Sequence, residues 1–359
     1  MGEKNDSSHS KVDPLNNRAH HFPYRTFQKK NPQSGITNEI LLQGIVKGNR
    51  SILSRAITLI ESNSEHHFHQ AQSLLQQLLP NIGKSLRIGI TGVPGAGKST
   101  FIETFGTYLC DKLGLNLAVL AIDPSSMISG GSILGDKTRM EKLSRNPRAF
   151  IRPSPSSGNL GGVHRKTRET IVLCEAFGFD VIIVETVGVG QSEATVRDMV
   201  DFFMLLVLTG AGDELQGMKK GIMEQTDMIV VNKADGKNIE KATSTKNQYN
   251  RILRFLPTAT KGWQTKAFTC SALSNQGIEE IWNVIKDFEK VVKASSLFAE
   301  RRKLQSKEWM KEMILEHLQY RFYHHPEVKQ VLPTLEQDVQ SGSITVSQAV
   351  DELFKKYKQ

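Results

Sequence analysis

The chain has 359 residues, 38% of them hydrophobic, and a formal net charge of +9. That apolar share is enough for one large domain with appendages or two domains, and no apolar run approaches the length of a membrane span. The basic excess is spread along the chain, which argues against a nucleic-acid partner, while Cys110, Cys174 and Cys270 are too few and too scattered for a disulfide framework or a zinc site.

Residues 1–35 are polar with little periodicity and are expected to form a disordered or loosely ordered extension. The opening Met1-Gly2-Glu3-Lys4-Asn5-Asp6 has no signal-peptide hydrophobic region, so a cytoplasmic protein is expected. Residues 36–84 read as a helical N-terminal domain: Ile40, Leu41, Ile45, Ile52, Leu53, Ala56, Ile57, then Leu74, Leu75, Leu78 and Leu79 fall at helical spacing. His66, His67 and His69 beside Phe68 lack cysteine or carboxylate partners at metal-ligand spacing and read as an exposed helix face.

From 85 to 289 short β-rich runs alternate with amphipathic stretches: Leu86 to Ile90, Leu117 to Ile122, Ala149 to Ile151, Val181 to Val184, Phe202 to Leu208, Met228 to Val231 and Ala267 to Thr269. The alternation predicts an α/β fold, a mostly parallel sheet covered by helices on both faces. Residues 290–359 are helical again, with Leu304, Trp309, Met313, Leu318 and Phe322, and Pro326 and Pro333 are expected to break them into short segments. A last helix begins near Thr345, where Thr345 to Gln348 reads as a capping box. Such a tail is expected to lack a core of its own and to pack on the main domain or on a second copy. There is no internal repeat.

Within the α/β region, Gly92-Val93-Pro94-Gly95-Ala96-Gly97-Lys98-Ser99-Thr100 follows an apolar strand and precedes a helix, the strand–loop–helix setting of the P-loop, G-x-x-x-x-G-K-[ST]. The glycines turn backbone N–H groups onto phosphates, the helix N-terminus adds partial positive charge, Lys98 reaches β- and γ-phosphate oxygens, and the Ser99 hydroxyl is placed for magnesium. Downstream, Asn232-Lys233-Ala234-Asp235 (N-K-x-D) follows a buried strand, and Ser271-Ala272-Leu273 closes a later one. The Asp235 carboxylate can accept from guanine N1–H and the N2 amine, which adenine cannot supply, and a backbone N–H of the Ser271 to Leu273 loop can meet guanine O6. A GTP/GDP site is therefore expected.

Val181 to Val184 leads into Glu185-Thr186-Val187-Gly188, a Walker B acid in the spacing of the D-x-x-G loop, with glutamate where aspartate is usual. Glu185 is placed for the magnesium shell and the Gly188 N–H for the γ-phosphate. Asp123 and Asp136 stand at strand ends or loops of the same region, as metal ligands or as turn aspartates. Val189 takes the place of a water-orienting glutamine, so intrinsic hydrolysis is expected to be slow. The loop from Gly210 to Lys220, with Asp213, Gln216 and Lys219, and the glycine-rich stretch Arg152 to Gly162 have the composition of mobile loops.

Together these motifs, with Asp123-Pro124-Ser125-Ser126 and Gly130 to Met140, resemble the MeaB/ArgK/MMAA family of P-loop GTPases from about Thr37 to the C-terminus. The resemblance implies a GTP-hydrolysing metallochaperone that gates adenosylcobalamin loading and protects methylmalonyl-CoA mutase or a related B12-dependent acyl-CoA mutase. It implies Mg2+ held by Ser99, Asp123, Asp136 and Glu185, catalysis by Lys98, Glu185, Gly188 and Lys219, and a switch at Asp213, Gln216 and Lys219. It also implies a homodimer through a C-terminal helical dimerisation arm. A P-loop kinase acting on a protein or amino-acid transport component is the alternative, disfavoured by the guanine signature and the absence of an acceptor base. Delivery of a metal such as nickel is a third reading, and no Cys/His cluster supports it.

Overall fold

The computed structural model describes residues 36–62, 64–123, 140–155, 160–186, 196–209 and 220–358. Its strands are β1 (Leu86–Gly92), β2 (Leu117–Asp123), β3 (Ala149–Pro155), β4 (Val181–Thr186), β5 (Phe202–Val207), β6 (Met228–Val231) and β7 (Lys266–Thr269). They pair in the order β3-β2-β4-β1-β5-β6-β7, every pairing parallel. All residues of β4, β5 and β6 are buried, because helices cover both faces and the strands need no polar side.

One face carries Ile88, Ile90, Val119, Ile183, Met204 and Val230 and packs against α4 (Lys98–Thr107) and α9 (Ile278–Ala294), through Phe101, Phe105, Ile281, Ile285 and Phe288. The other is covered largely by α6 (Leu160–Phe177). The short helices α5 (Glu141–Arg145) and α7 (Lys220–Gln225) and the longer α8 (Ile239–Leu253) complete the crossovers.

Three helices precede the sheet, α1 (Asn38–Val46), α2 (Arg50–Glu61) and α3 (Glu65–Leu78), and pack on α6. The side chain of Asn49 caps α2 by accepting from the N–H groups of Ser51 and Ile52 at 3.0 and 3.2 Å. Leu41, Ile45, Leu53, Ala56, Ile57, Leu74, Leu75 and Leu78 are buried as the periodicity predicts, whereas Ile40 and Leu79 lie on the outer side, 52% and 54% exposed. An ion pair from Glu61 to Arg152 of β3 and a bond from Lys166 Nζ to the Glu61 carbonyl fasten α2 to the sheet region. His66, His67 and His69 are exposed, and no group of three potential metal-ligating His, Cys, Asp or Glu occurs among the described residues.

After β7 the chain is helical: α9, α10 (Leu297–His324), α11 (Pro326–Ser341) and α12 (Val346–Tyr357). The expected boundary at 289/290 falls inside α9, and Thr37–Gln359 is one compact unit. Pro333 does not break a helix as expected. It lies exposed within α11, where water can satisfy the carbonyl that its missing N–H would bond, while Val328 and Leu335 to either side are held in a packed cluster. That cluster also corrects the expectation of a coreless tail. Val328, Leu335, Ala349 and Leu353, with Phe322, Val331 and Tyr357 against them, form a small core between α11, α12 and the end of α10. Thr345 caps α12 in the predicted capping box. A long apolar surface remains outside: Leu304, Met310, Ile314, Leu315 and Leu318 on α10, and Val346, Val350 and Phe354 on α12, are 43% to 65% exposed.

The foot of α10 is anchored by charge. Arg302 donates to the buried carboxylate of Asp201 at 2.6 and 2.9 Å, to Glu175 at 3.2 Å and to the Ser85 carbonyl at 2.7 Å. Gln305 donates to the Val200 carbonyl at 2.8 Å. No helix among the described residues is long and apolar enough to cross a membrane.

Candidate functional site

The motifs meet at the carboxyl ends of the parallel strands, where open α/β sheets bind ligands. β1 runs into the loop Val93 to Gly97, and α4 starts at Lys98. Gly92 has φ +154°, and a Cβ there would sit 2.2 Å from the Leu206 carbonyl oxygen of β5, so only glycine lets the chain leave the sheet at this point. Gly97, at φ +82°, caps α4, and a Cβ would press to 2.9 Å from Asn232 Nδ2. Pro94, Gly95 and Thr100 are exposed around the mouth and Ala96 is fully buried beneath it. The first N–H groups of α4 have no intrahelical acceptor and face outward as an anion site.

Lys98 is 8% exposed and folds back over the loop, its Nζ donating to the carbonyls of Gly92 at 2.8 Å and Val93 at 3.3 Å. Burial pushes its pKa below the usual lysine value, opposed by the negative charge of Glu185. The Ser99 hydroxyl donates to Glu185 Oε1 at 3.3 Å. Register places Glu185 beside Ile90 of β1 and Ala121 of β2, so the acid stands at the strand end next to the one that runs into the P-loop. A hydroxyl and a carboxylate oxygen suit a hard cation, and two adjacent ligands on an octahedral magnesium with bonds of about 2.1 Å stand about 3 Å apart, close to the spacing found. The residues fit magnesium. Asp123 ends β2 level with Pro155 of β3, one residue beyond the Ile122–Thr186 pair. Its side chain, and Asp136, Gly188, Val189, Asp213, Gln216 and Lys219, lie outside the described residues.

At the other end of the mouth, Asn232 is 2% exposed and joins three segments. Its Nδ2 donates to the Ala96 carbonyl of the P-loop at 2.8 Å, its Oδ1 accepts from Ala272 N–H at 3.2 Å, and its own N–H reaches the Val207 carbonyl at 2.9 Å. Lys233 adopts φ +60°, a left-handed conformation rare outside glycine, and its Cε lies 3.9 Å from the point a Gly97 Cβ would occupy, so its stem runs along the P-loop. Asp235 accepts from the Ser271 hydroxyl on one oxygen, which leaves lone pairs for two further N–H donors. Leu273, two residues after Ser271, is 82% exposed.

Two contributors escape sequence reading. Thr104 of α4 donates to the Ala272 carbonyl at 2.7 Å, and Glu103 accepts from the Lys142 N–H at the start of α5 at 2.7 Å. Neither belongs to a motif, and no local pattern marks them. Just beneath the mouth, the buried Thr186 hydroxyl donates to Thr91 at 2.8 Å, fastening the carboxyl ends of β4 and β1.

A P-loop on a parallel sheet, with an acid at the neighbouring strand end and two loops from β6 and β7 opposite it, defines a P-loop nucleotide-binding protein. Residues 53–327 match the family described as "Methylmalonyl Co-A mutase-associated GTPase MeaB". The mouse protein named "Methylmalonic aciduria type A homolog, mitochondrial" is 47% identical over 328 residues, 89% of this chain and 79% of its own. The Escherichia coli "GTPase ArgK" is 50% identical over 276 residues, 76% and 83% of the two chains. Among solved structures, that of a protein named "LAO/AO transport system kinase" superposes with a TM-score of 0.70 at 36% identity, covering 90% of this chain and 98% of that one. The chain belongs to the MeaB family and is a GTPase.

Proposed function

We propose that this GTPase is a metallochaperone that gates adenosylcobalamin loading and protects methylmalonyl-CoA mutase or a related B12-dependent acyl-CoA mutase. The observation that carries the reading is the match of residues 53–327 to a family described as mutase-associated, supported by the name of the mouse relative. In this reading GTP lies along the sheet edge. Asp235 accepts from guanine, the Ser271 to Leu273 loop donates to its 6-oxo group, and Lys233 covers the base.

The N–H groups from Gly92 to Thr100 hold the phosphates, and Lys98 turns from its two carbonyl partners to the γ-phosphate. Ser99, Glu185, Asp123 and Asp136 hold magnesium, whose charge offsets that building on the β- and γ-oxygens. The Gly188 N–H orients the γ-phosphate, while Asp213, Gln216 and Lys219 form the element that a partner shifts. The exposed apolar faces of α10 and α12 are a homodimer contact in this reading, too extensive to be scattered surface residues. A cytoplasmic location is part of the same proposal, while the mouse relative is mitochondrial by its name.

Adding a B12-dependent mutase should raise GTP hydrolysis by at least about tenfold, roughly 1.4 kcal/mol of barrier. Absence of stimulation by every such mutase, with GTP hydrolysis intact, would remove the chaperone role and leave the GTPase standing. The name of the solved relative motivates a transport-kinase reading, and phosphate transferred from GTP to a transport protein rather than to water would favour it.

A further inference from the structure

Threonines inside helices usually turn their hydroxyls back to the carbonyl four residues earlier. Thr58, Thr107, Thr170 and Thr243 do so here, at 3.0, 2.7, 2.7 and 2.9 Å. Thr104 departs from them. Its hydroxyl crosses to the loop after β7 and donates to the Ala272 carbonyl at 2.7 Å. Three other N–H groups of that loop are committed: Ser271 N–H to the Gln276 carbonyl at 3.1 Å, Ala272 N–H to Asn232 Oδ1 at 3.2 Å, and Ser274 N–H to Ser271 Oγ at 3.1 Å. The Leu273 N–H has no acceptor among the described residues, and its side chain is 82% exposed.

The Ala272 carbonyl and the Leu273 N–H belong to one peptide unit, and in a planar trans peptide they point in opposite directions. Holding the carbonyl toward α4 therefore sends the N–H away from α4, in the loop whose Ser271 hydroxyl donates to Asp235. We propose that Thr104 is a specificity-positioning residue: it aims the Leu273 N–H as the donor to the 6-oxo oxygen of the purine. An adenine would bring a 6-amino donor to the same point and find no acceptor. The helix that presents its N-terminus to phosphate thus also sets which base is accepted. This rests on the assignment of the Asn232 and Ser271 loops to the base.

The test compares GDP, ADP and 2-aminopurine riboside diphosphate, which keeps the guanine N2 amine and has hydrogen at C6, on the full chain and on Thr104→Val and Thr104→Ser. Wild type should prefer GDP to both others. Thr104→Val should lose about tenfold in GDP affinity, equivalent to about 1.4 kcal/mol, with the 2-aminopurine nucleotide unchanged and Thr104→Ser restoring GDP. In [15N]leucine-labelled wild type the Leu273 amide proton should move downfield with GDP and stay in place with the 2-aminopurine nucleotide. An unmoved Leu273 amide overturns the inference even if Thr104→Val does not fold, and Thr104→Ser then carries the test of the threonine hydroxyl. An equal loss for both nucleotides, wild-type GDP affinity in Thr104→Val, or an unmoved Leu273 amide overturns the inference. Equal wild-type affinity for GDP and ADP would instead remove the base-loop assignment beneath it.

Discussion

Replacing Asn232 by alanine tests whether the phosphate and base halves of the site are one mechanical unit. The side chain makes two bonds, to the Ala96 carbonyl at 2.8 Å and from the Ala272 N–H at 3.2 Å, and both partners belong to residues at most 4% exposed. Alanine would strand both groups, and a buried backbone group without a partner costs about 1–3 kcal/mol. Partial relaxation of the exposed loop beyond Ala272 puts the sum near the lower end, about 2–4 kcal/mol.

Part of that cost appears as lost stability of the free protein and the rest as weaker nucleotide binding. We expect a lower melting temperature and GDP affinity reduced by about fivefold to thirtyfold, since an even split leaves about 1–2 kcal/mol for binding. Asn232→Asp is a sharper probe. It keeps the acceptor for Ala272 but sets a carboxylate oxygen against the Ala96 carbonyl, and should weaken GDP at least as much as alanine. Calorimetry with GDP and thermal unfolding of both variants provide the measurement. GDP affinity within about threefold of wild type, with unchanged melting in both, would refute the reasoning that Asn232 joins the loops.

The lowered pKa of Lys98 has a pH consequence. Phosphate binding should raise it, so nucleotide affinity is full below the free protein's depressed value and falls as pH rises through it, with a proton taken up in that range. Calorimetry in alkaline buffers of different ionisation enthalpy reads that uptake, and an affinity flat to the ordinary lysine range would contradict it. Arg302→Met should destabilise the chain by about 3 kcal/mol, the lower end for a broken buried pair, because Arg87 still serves Glu175 through its side chain and Asp201 through its N–H. Denaturant unfolding checks this, and a loss well under 1 kcal/mol would show that the network contributes no more than an exposed pair. Pro333→Ala should stabilise α11 by about 1–3 kcal/mol, since alanine restores the missing N–H on an exposed face. A lower melting temperature would mean that the proline is needed for the packing of α11 on α12.

What could be read from the sequence is what neighbouring residues dictate. Runs such as Val181 to Val184 and Phe202 to Leu208 are strands because unbroken β-branched and apolar residues suit a parallel sheet buried on both sides. The helices around Leu53, Ala56 and Ile57 follow from a period of 3.6, and the P-loop from glycines at fixed spacing before a lysine. Pro333 misled that reading, because whether a helix survives proline depends on the exposure of the freed carbonyl and the packing to either side, neither of which is local.

The tertiary structure decided what lies beside what. The inner strands β4, β5 and β6 are all buried apolar runs, so their places in the order β3-β2-β4-β1-β5-β6-β7 are not written in any one of them. That order brings Glu185 to Ser99, Asn232 to Ala96, and Thr104 to Ala272, 168 positions away. Hydroxyls and amides at such separations carry no local mark. A threonine in a helix looks the same in sequence whether its proton goes to its own helix or to the loop opposite, and only the packing of α4 against the strand ends settles which.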